Sequence, residues 1–509
     1  MTQDRSAQVK QLCQQLLTHR NLIIASNRGP VDYRTDEQGN LKSRRGSGGV
    51  VTALTAISQY MDLTWVASAM GEGDRRAAAE AQGERLKSPT TSGKLYIRFV
   101  ASPGSVYHKF YSVFCNPLLW FLQHLMWNSS HTPNIDSRVY DAWENGYKVV
   151  NRAFADAVID EALKGKLPAL VMLHDYHLYL AAQYIRERLP DAIIQHFTHI
   201  PWPSSYTWQL LPKGWTQEIC SGMCANDIVG LQTERDVYNF LNTCEIFLDN
   251  ADIDYRKRNI SVNGHIVQVR HYPISIDVPN LRRLARSNLM KSYEDNLLPL
   301  YNKKTIVRVD RLEPSKNVVR GFRAFDMLLQ RYPELKGEVN FLAFLVPSRT
   351  RIKQYRKYAS EVSELVASIN SRYGNESWQP IRPFYENNYP QAIAAMKHYD
   401  VLLVNAVIDG MNLVAKEGPT VNERDGVLIL SERAGACQQL RDYVLPVTPT
   451  DLEGTIQALY QALTMPADER KRRSDALKKS VEAEDITAWL HHQLSDVTAL
   501  TLETLKQAT

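Results

Sequence analysis

Short β-rich apolar runs alternate with longer helical patterns through nearly the whole sequence. No other feature restricts the fold so severely, because this alternation marks βαβ units stacked into parallel sheets. In the first half, strands are expected at NLIIAS, LTWVAS, KLYIRFVA, ALVML, AIIQHFTH and DIVGL, with helical segments between them that include a long one from about Ser137 to Leu163. A hairpin follows in YRKRNISVNGHIVQVRHYPI, where Asn263-Gly264 is the dipeptide of a type I′ turn. After HYPISIDVP the pattern starts again with TIVRVD, NFLAFLV, PIRPF, DVLLV, GVLILS and YVLPV. A chain of 509 residues is also too long for one ordinary core. The expectation is therefore an α/β protein of two Rossmann-like, doubly wound domains facing a central cleft. They cover residues 1–275 and 276–483, with a last helix over 484–509 packing back on the first domain.

Composition removes several function classes. Hydrophobic residues at 44% and charged residues at 23% are those of a soluble globular protein. No apolar run approaches the roughly 20 residues of a membrane helix. The polar opening MTQDRSAQVKQ lacks the apolar core of a signal peptide, so a cytoplasmic protein without a membrane partner is expected. A net charge of +5 is modest for this length; it argues for no nucleic-acid partner and suits a small anionic substrate. The basic run ERKRRSDALKK is interleaved with acids and apolar residues, as on a solvated helix face. Six scattered cysteines fit reduced thiols, and the pair Cys220 and Cys224 lacks a second Cys/His pair at zinc spacing. Asp252-Ile253-Asp254 begins the hairpin and is expected as a loop, not as a metal site. The sequence leaves a homo-oligomer open.

Ligands of open parallel sheets bind beyond the carboxyl ends of the strands. Four stretches fall there. In LPALVMLHDYHLYLAA, the cluster His174, Asp175, Tyr176 and His177 ends a buried strand, where it could be a metal site, a helix cap at Asp175, or one wall of a binding site. QHFTHIPWPSS offers a second wall at His199, before a Pro-Trp-Pro turn. In RVDRLEPSKNVVRGF, Arg311 and Lys316 occupy the loop after a strand and before a helix, where side-chain charge and free N–H groups would together suit a diphosphate. In NAVIDGMNLVAKEG, an Asp-Gly turn leads into a helix expected to begin at Met411, Asn412, Leu413 and Val414. Glu417 stands a turn further on, where it could accept hydrogen bonds from ribose hydroxyls. SRRGSGGVVTAL reads as a Gly-rich loop feeding a helix, with neither dinucleotide nor Walker spacing.

SNRGP, SGG, FYSVFCNPLLW, HDYHL, HIPWP, RVDRLEPSKN, PSR and DGMNLVAKE, in that order, resemble glycosyltransferase family 20 over nearly the whole chain. The resemblance implies a GT-B fold and retaining transfer of glucose from an NDP-glucose to glucose 6-phosphate by front-face displacement, with no cofactor or metal. It implies that Arg311 and Lys316 hold the donor diphosphate, that Gly48 and Gly49 approach the donor, and that Asp409 orients its glucose. Gly410, Met411, Asn412, Leu413 and Val414 would complete the cradle, and Glu417 would take the ribose. On the acceptor side it implies a phosphate grip by Arg28, Tyr111 and Arg349 lined by Trp120, with Asp175 on the sugar and His199 beside the transferring centre. Asn387 stands where an aromatic residue near the base is usual, which leaves the base open. GPTVNERDGVLILSERAG also resembles a branch that joins cyclitols, so another phosphorylated acceptor, glycerol 3-phosphate or a cyclitol phosphate, is the alternative substrate. A non-catalytic nucleotide-sugar sensor is the alternative of another class.

Overall fold

The computed structural model describes residues 2–46, 51, 54, 56–59, 62–89, 95–350 and 352–507. It divides into two compact units, Met1–Pro273 with Thr487–Thr509, and Ile274–Ile486.

The first unit is built on a ten-stranded sheet. Its order from one edge is Ala251–Asp254, Asn259–Val262, His265–His271, Ile228–Leu231, Ile193–Phe197, Ala169–His174, Asn21–Ser26, Leu63–Ser68, Leu95–Val100 and Leu86–Lys87. The central strands are parallel, and LTWVAS and ALVMLH are buried at every position. That is why they read as unbroken apolar runs: helices cover both faces of a parallel sheet. Two expectations of loops are overturned. Ala251–Asp254 is an antiparallel edge strand with Ile253 opposite Ile260, so Asp252-Ile253-Asp254 lies in the sheet; polar residues suit a half-exposed edge. Ser43, Arg44 and Arg45 belong to the strand Leu41–Arg45, which pairs with Val31–Thr35 in a small hairpin, and Gly48 and Gly49 lie outside the described residues. The Asp36 carboxylate closes that hairpin by accepting from the amides of Gln38 and Asn40 at 3.0 and 2.8 Å.

The segment Ser137–Lys164 runs helically throughout but carries a π-helical stretch, Trp143–Lys148, between two α-helical ones. FYSVFCNPLLW lies in a second π-helical stretch, His108–Trp120. The wider turn explains how Pro117 sits inside it, since an α-helix would drive the proline ring into the preceding carbonyl. The two stretches cross at Gly146, where a Cβ would come within 2.7 Å of Lys109 Cβ and 2.8 Å of the Phe110 nitrogen. Beside the crossing, Phe114, Trp143, Tyr147 and Trp215 pack ring on ring. The helix Ile486–Gln507 returns to this unit: Trp489 packs edge-on against Phe197 at 5.4 Å, and Gln195 donates to Gln493 at 2.8 Å.

The second unit holds a six-stranded, all-parallel sheet ordered Ile381–Phe384, Val339–Pro347, Lys304–Leu312, Val401–Val404, Val427–Ser431 and Leu445–Val447. Numbered along the chain this is the 3-2-1-4-5-6 arrangement of a dinucleotide-type fold. Phe322 and Phe325 of the helix Val318–Arg331 stand perpendicular to Phe341 on the sheet, at 5.3 and 5.5 Å. The chain enters at Ile274 and leaves at Ile486, and the amide of Ile486 donates to the carbonyl of Ile276 at 2.9 Å. Among the described residues no helix is long and apolar enough to cross a membrane.

Candidate active site

Strand order reverses once in each parallel sheet, and at such a point neighbouring strand ends diverge and open a crevice. In the first unit the reversal lies between Asn21–Ser26 and Ala169–His174, with Ser26 paired to His174. Arg28 and Asp175 follow those strands directly. In the second unit it lies between Lys304–Leu312 and Val401–Val404. Lys316 and Asp409 follow those.

At the first reversal the chain leaves its strand through Asp175, whose φ of 74° is the left-handed region. Its side chain makes no helix-cap bond. Instead it accepts from the amide of His199 at 3.2 Å, tying one strand end to the next. His174 Nδ1 and His199 Nε2 are 3.2 Å apart, so one donates and the other accepts. Burial lowers His199 to about 3 and His174 well below its usual value, so both rings are neutral at physiological pH. On the other side Tyr111 stacks on His177 at 6.1 Å and on Tyr107 at 5.6 Å, and the Tyr107 hydroxyl donates to Asn27 at 3.2 Å. Asn116 locks this aromatic row: its amide donates to the Tyr111 carbonyl at 2.8 Å, and its oxygen accepts from Tyr176 at 2.9 Å. Arg28 is exposed and lines an open pocket with Asp32, Tyr33 and Asp74. Trp120 is buried, its ring stacked on His124 at 3.9 Å. Tyr107 and Asn27 are additions; the i, i+4 spacing of Tyr107 and Tyr111 was the available signal.

At the second reversal Arg311 is still in the strand Lys304–Leu312, not in the loop expected for it, because that strand extends alongside Val339–Pro347 over nine paired residues. Lys316 closes a short 3-10 turn, and the left-handed Asn317 (φ 59°) starts the helix Val318–Arg331. The turn is braced from beneath by Arg308, fully buried, which donates to Asp310 at 2.7 Å and to the Lys316 carbonyl at 2.9 Å. Lys316 Nζ forms an ion pair with the Asp409 carboxylate, which also accepts from Asn412 Nδ2 at 3.0 Å. Asp409 itself is pinned by a parallel bridge to Ala434, its amide on the Arg433 carbonyl at 3.2 Å and its carbonyl on the Gly435 amide at 3.1 Å. A Cβ on Gly435 would collide with the Gly410 carbonyl, so only glycine permits this approach. The sequence offered the loop SERAG, which carries that glycine, only as the end of the stretch resembling the cyclitol-joining branch, with no role beside Asp409.

The helix after Asp409 begins at Val414, later than expected. Asn412 has φ 73° and cannot belong to a helical turn; its Oδ1 accepts from the Ala415 amide at 3.2 Å and so caps the start from outside. Met411, Asn412 and Leu413 are therefore an approach loop ahead of the helix. Glu417 lies in the first turn and accepts from the Tyr389 hydroxyl at 3.0 Å. Water reaches the edge of Glu417, but the surrounding protein dominates: burial raises its carboxyl to about 7, the Tyr389 bond opposing. Asn387 is exposed in the loop between Phe384 and Tyr389. Arg349, with φ 45°, belongs to this unit and meets the buried Glu313 at 3.1 Å, on the same carboxylate that Arg311 holds at 2.8 Å. Of the acceptor-side candidates, Arg349 thus stands with Arg311, whereas Arg28, Tyr111, Trp120 and Asp175 are in the first unit. Among the described residues no group of three or more His, Cys, Asp or Glu is placed to hold a metal.

Residues 20–499 match the family model described as Glycosyltransferase family 20. The chain is 30% identical over 491 residues to an alpha,alpha-trehalose-phosphate synthase [UDP-forming] of Schizosaccharomyces pombe, spanning 94% of this chain and 91% of that one. It is 28% identical to a validamine 7-phosphate valienyltransferase of Streptomyces hygroscopicus, over 95% of each. The solved alpha,alpha-trehalose-phosphate synthase (UDP-forming) of Burkholderia xenovorans in complex with glucose-6-phosphate superposes with a TM-score of 0.79 at 26% identity, covering 94% of this chain and 99% of that one.

Proposed function

The chain belongs to glycosyltransferase family 20, with the GT-B fold, and from that premise we propose that it transfers glucose with retention from UDP-glucose to glucose 6-phosphate, giving α,α-trehalose 6-phosphate and UDP. The observation that carries this is the arrangement at the second reversal, where Lys316 pairs with Asp409 and Arg311 stands at the end of the strand that leads into the Lys316 turn. Cations fixed there stabilise the negative charge that develops on a departing diphosphate. Asp409, aligned by Lys316 and Asn412, presents a carboxylate to the hydroxyls of the donor glucose. Glu417 takes the ribose.

The second unit serves the donor. Arg28, Tyr111, Trp120 and Asp175 serve the acceptor, and Arg349 serves its phosphate. Neutral His199 is assigned to the transferring centre, its ring offering a hydrogen bond and no charge. No carboxylate acts as a covalent nucleophile: the acceptor hydroxyl approaches the face from which the diphosphate leaves, and a diphosphate oxygen takes its proton. Rate acceleration then rests on positioning and fixed charge. Both substrates are water-soluble phosphates, in keeping with work in the cytoplasm, and Arg311 and Lys316 would meet the diphosphate charge in place of a metal.

The relative named as a validamine 7-phosphate valienyltransferase supports a second acceptor, a cyclitol phosphate. Nucleotide release from UDP-, GDP- and ADP-glucose, measured with glucose 6-phosphate, glycerol 3-phosphate or a cyclitol phosphate, separates these. UDP release that depends on glucose 6-phosphate and yields an α,α-linked product is expected. An inverted anomeric product, or no release with glucose 6-phosphate and any donor, overturns the proposal.

A further inference from the structure

Glu313 has no place in the chemistry above, yet it is completely buried between Arg311 at the strand end and Lys316 in the turn. One carboxylate oxygen meets Arg311 Nε at 2.8 Å and accepts from Ser348 Oγ at 3.3 Å; the other accepts from Arg349 Nη1 at 3.1 Å. Its backbone is fixed as well: its amide donates to the Arg311 carbonyl at 2.8 Å, and its carbonyl accepts from the Lys316 amide at 3.1 Å. Arg349 is restrained further by donating to the Tyr355 hydroxyl at 2.8 Å. Leaving a carboxylate fully out of water is costly unless paired, and two guanidiniums pair this one. A guanidinium has five N–H donors in a fixed fork, and Glu313 takes the Nε of Arg311 and one Nη of Arg349. The side chain of Arg311 is 53% exposed and that of Arg349 11%.

We propose that Glu313 is a positioning residue that locks Arg311 and Arg349 into one frame, so that the donor diphosphate and the acceptor phosphate are gripped at a set separation by a single rigid cluster. This rests on the proposed function, which gives one arginine to each phosphate. A carboxylate that merely neutralised buried charge would affect stability without touching affinity. One that sets both forks affects two ligands at once.

The test is calorimetric binding of UDP and of glucose 6-phosphate, with steady-state kinetics, for the wild type, Glu313→Gln, Glu313→Ala, Arg349→Ala and the double variant Glu313→Ala/Arg349→Ala. Arg349→Ala is expected to weaken glucose 6-phosphate only. Glu313→Gln, close in shape and carrying no charge, should weaken both ligands by about tenfold, the worth of one charge-assisted hydrogen bond. In the double variant, loss of Glu313 should add little to the glucose 6-phosphate defect already caused by Arg349→Ala. Both dissociation constants within twofold of wild type in Glu313→Gln, or additive losses in the double variant, overturn the inference. If Glu313→Ala does not fold, the isosteric glutamine variant decides alone. A wild type that binds neither ligand overturns the function and the inference together; a wild type that turns over while Glu313→Gln matches it overturns the inference only.

Discussion

Lys416 is fully buried, with its Nζ donating to the carbonyl of Ile274 at 3.0 Å. Burial lowers its pKa from 10.5 to about 7, with the charge of Glu484 opposing. Between those two values the unfolded chain holds a proton that the folded chain has released, so stability rises with pH across that window. The cost of the buried ammonium is fully present below pH 7 and vanishes above pH 10.5. A displacement of this size corresponds to about 5 kcal/mol in full, of which about 4 kcal/mol remains at pH 7 and about 2 kcal/mol at pH 9. Lys416→Met keeps the length and volume of the stem while removing the charge, and forfeits about 1 kcal/mol for the bond to Ile274. The variant should therefore be more stable than the wild type by about 3 kcal/mol at pH 7 and by about 1 kcal/mol at pH 9. Urea denaturation of both proteins at the two pH values measures this directly. A stability difference that is equal at pH 7 and pH 9, or larger at pH 9, would refute the reasoning.

Three further outcomes follow from the second unit. Lys316→Met should lower kcat by about 10²–10³-fold, the usual effect of deleting one fixed donor at a developing charge, as read by UDP release at saturating substrates. Because the Glu417 carboxyl sits at about 7, the donor KM should climb as pH falls from 8.5 to 6, when protonation removes an acceptor from the ribose; in Glu417→Gln that climb should be absent. Gly435→Ala should cost about 1–3 kcal/mol of stability, seen as a lower Tm, and weaken UDP binding, since the Cβ displaces the Gly410 carbonyl.

The parallel strands were legible because strands covered on both faces must be apolar throughout. ALVML and DVLLV admit few other interpretations at that length. The Asn263-Gly264 turn was legible for a different reason, since its φ angles of 53° and 83° are those the dipeptide favours. What escaped was structure whose signal is polar. VDYRT and LKSRR form a hairpin with little apolar alternation, and Asp252 to Asp254 is an edge strand with two acids in it. Local left-handed residues were equally hidden: Asp175, Asn317 and Asn412 all turn the chain at a strand or helix end, and Asn412 is why the DGMN helix begins late. The strand ends that carry HDYHL, RLEPSK and DGMN could be located from the apolar runs before them. Contacts between distant residues could not, so Glu313 under two arginines and Gly435 against Gly410 emerged only from the fold.

The helix Ile486–Gln507 seats Trp489 against Phe197, while Asp496 receives the hydroxyl of Tyr272 at 2.5 Å. A ribosome delivers this segment more than two hundred residues after the sheet it covers. The first sheet must consequently wait, with an apolar seam uncovered, until that helix has been made. Nascent chains halted near residue 480 should thus be the form that chaperones hold longest, and removing the helix Ile486–Gln507 should damage the part of the molecule that was made first.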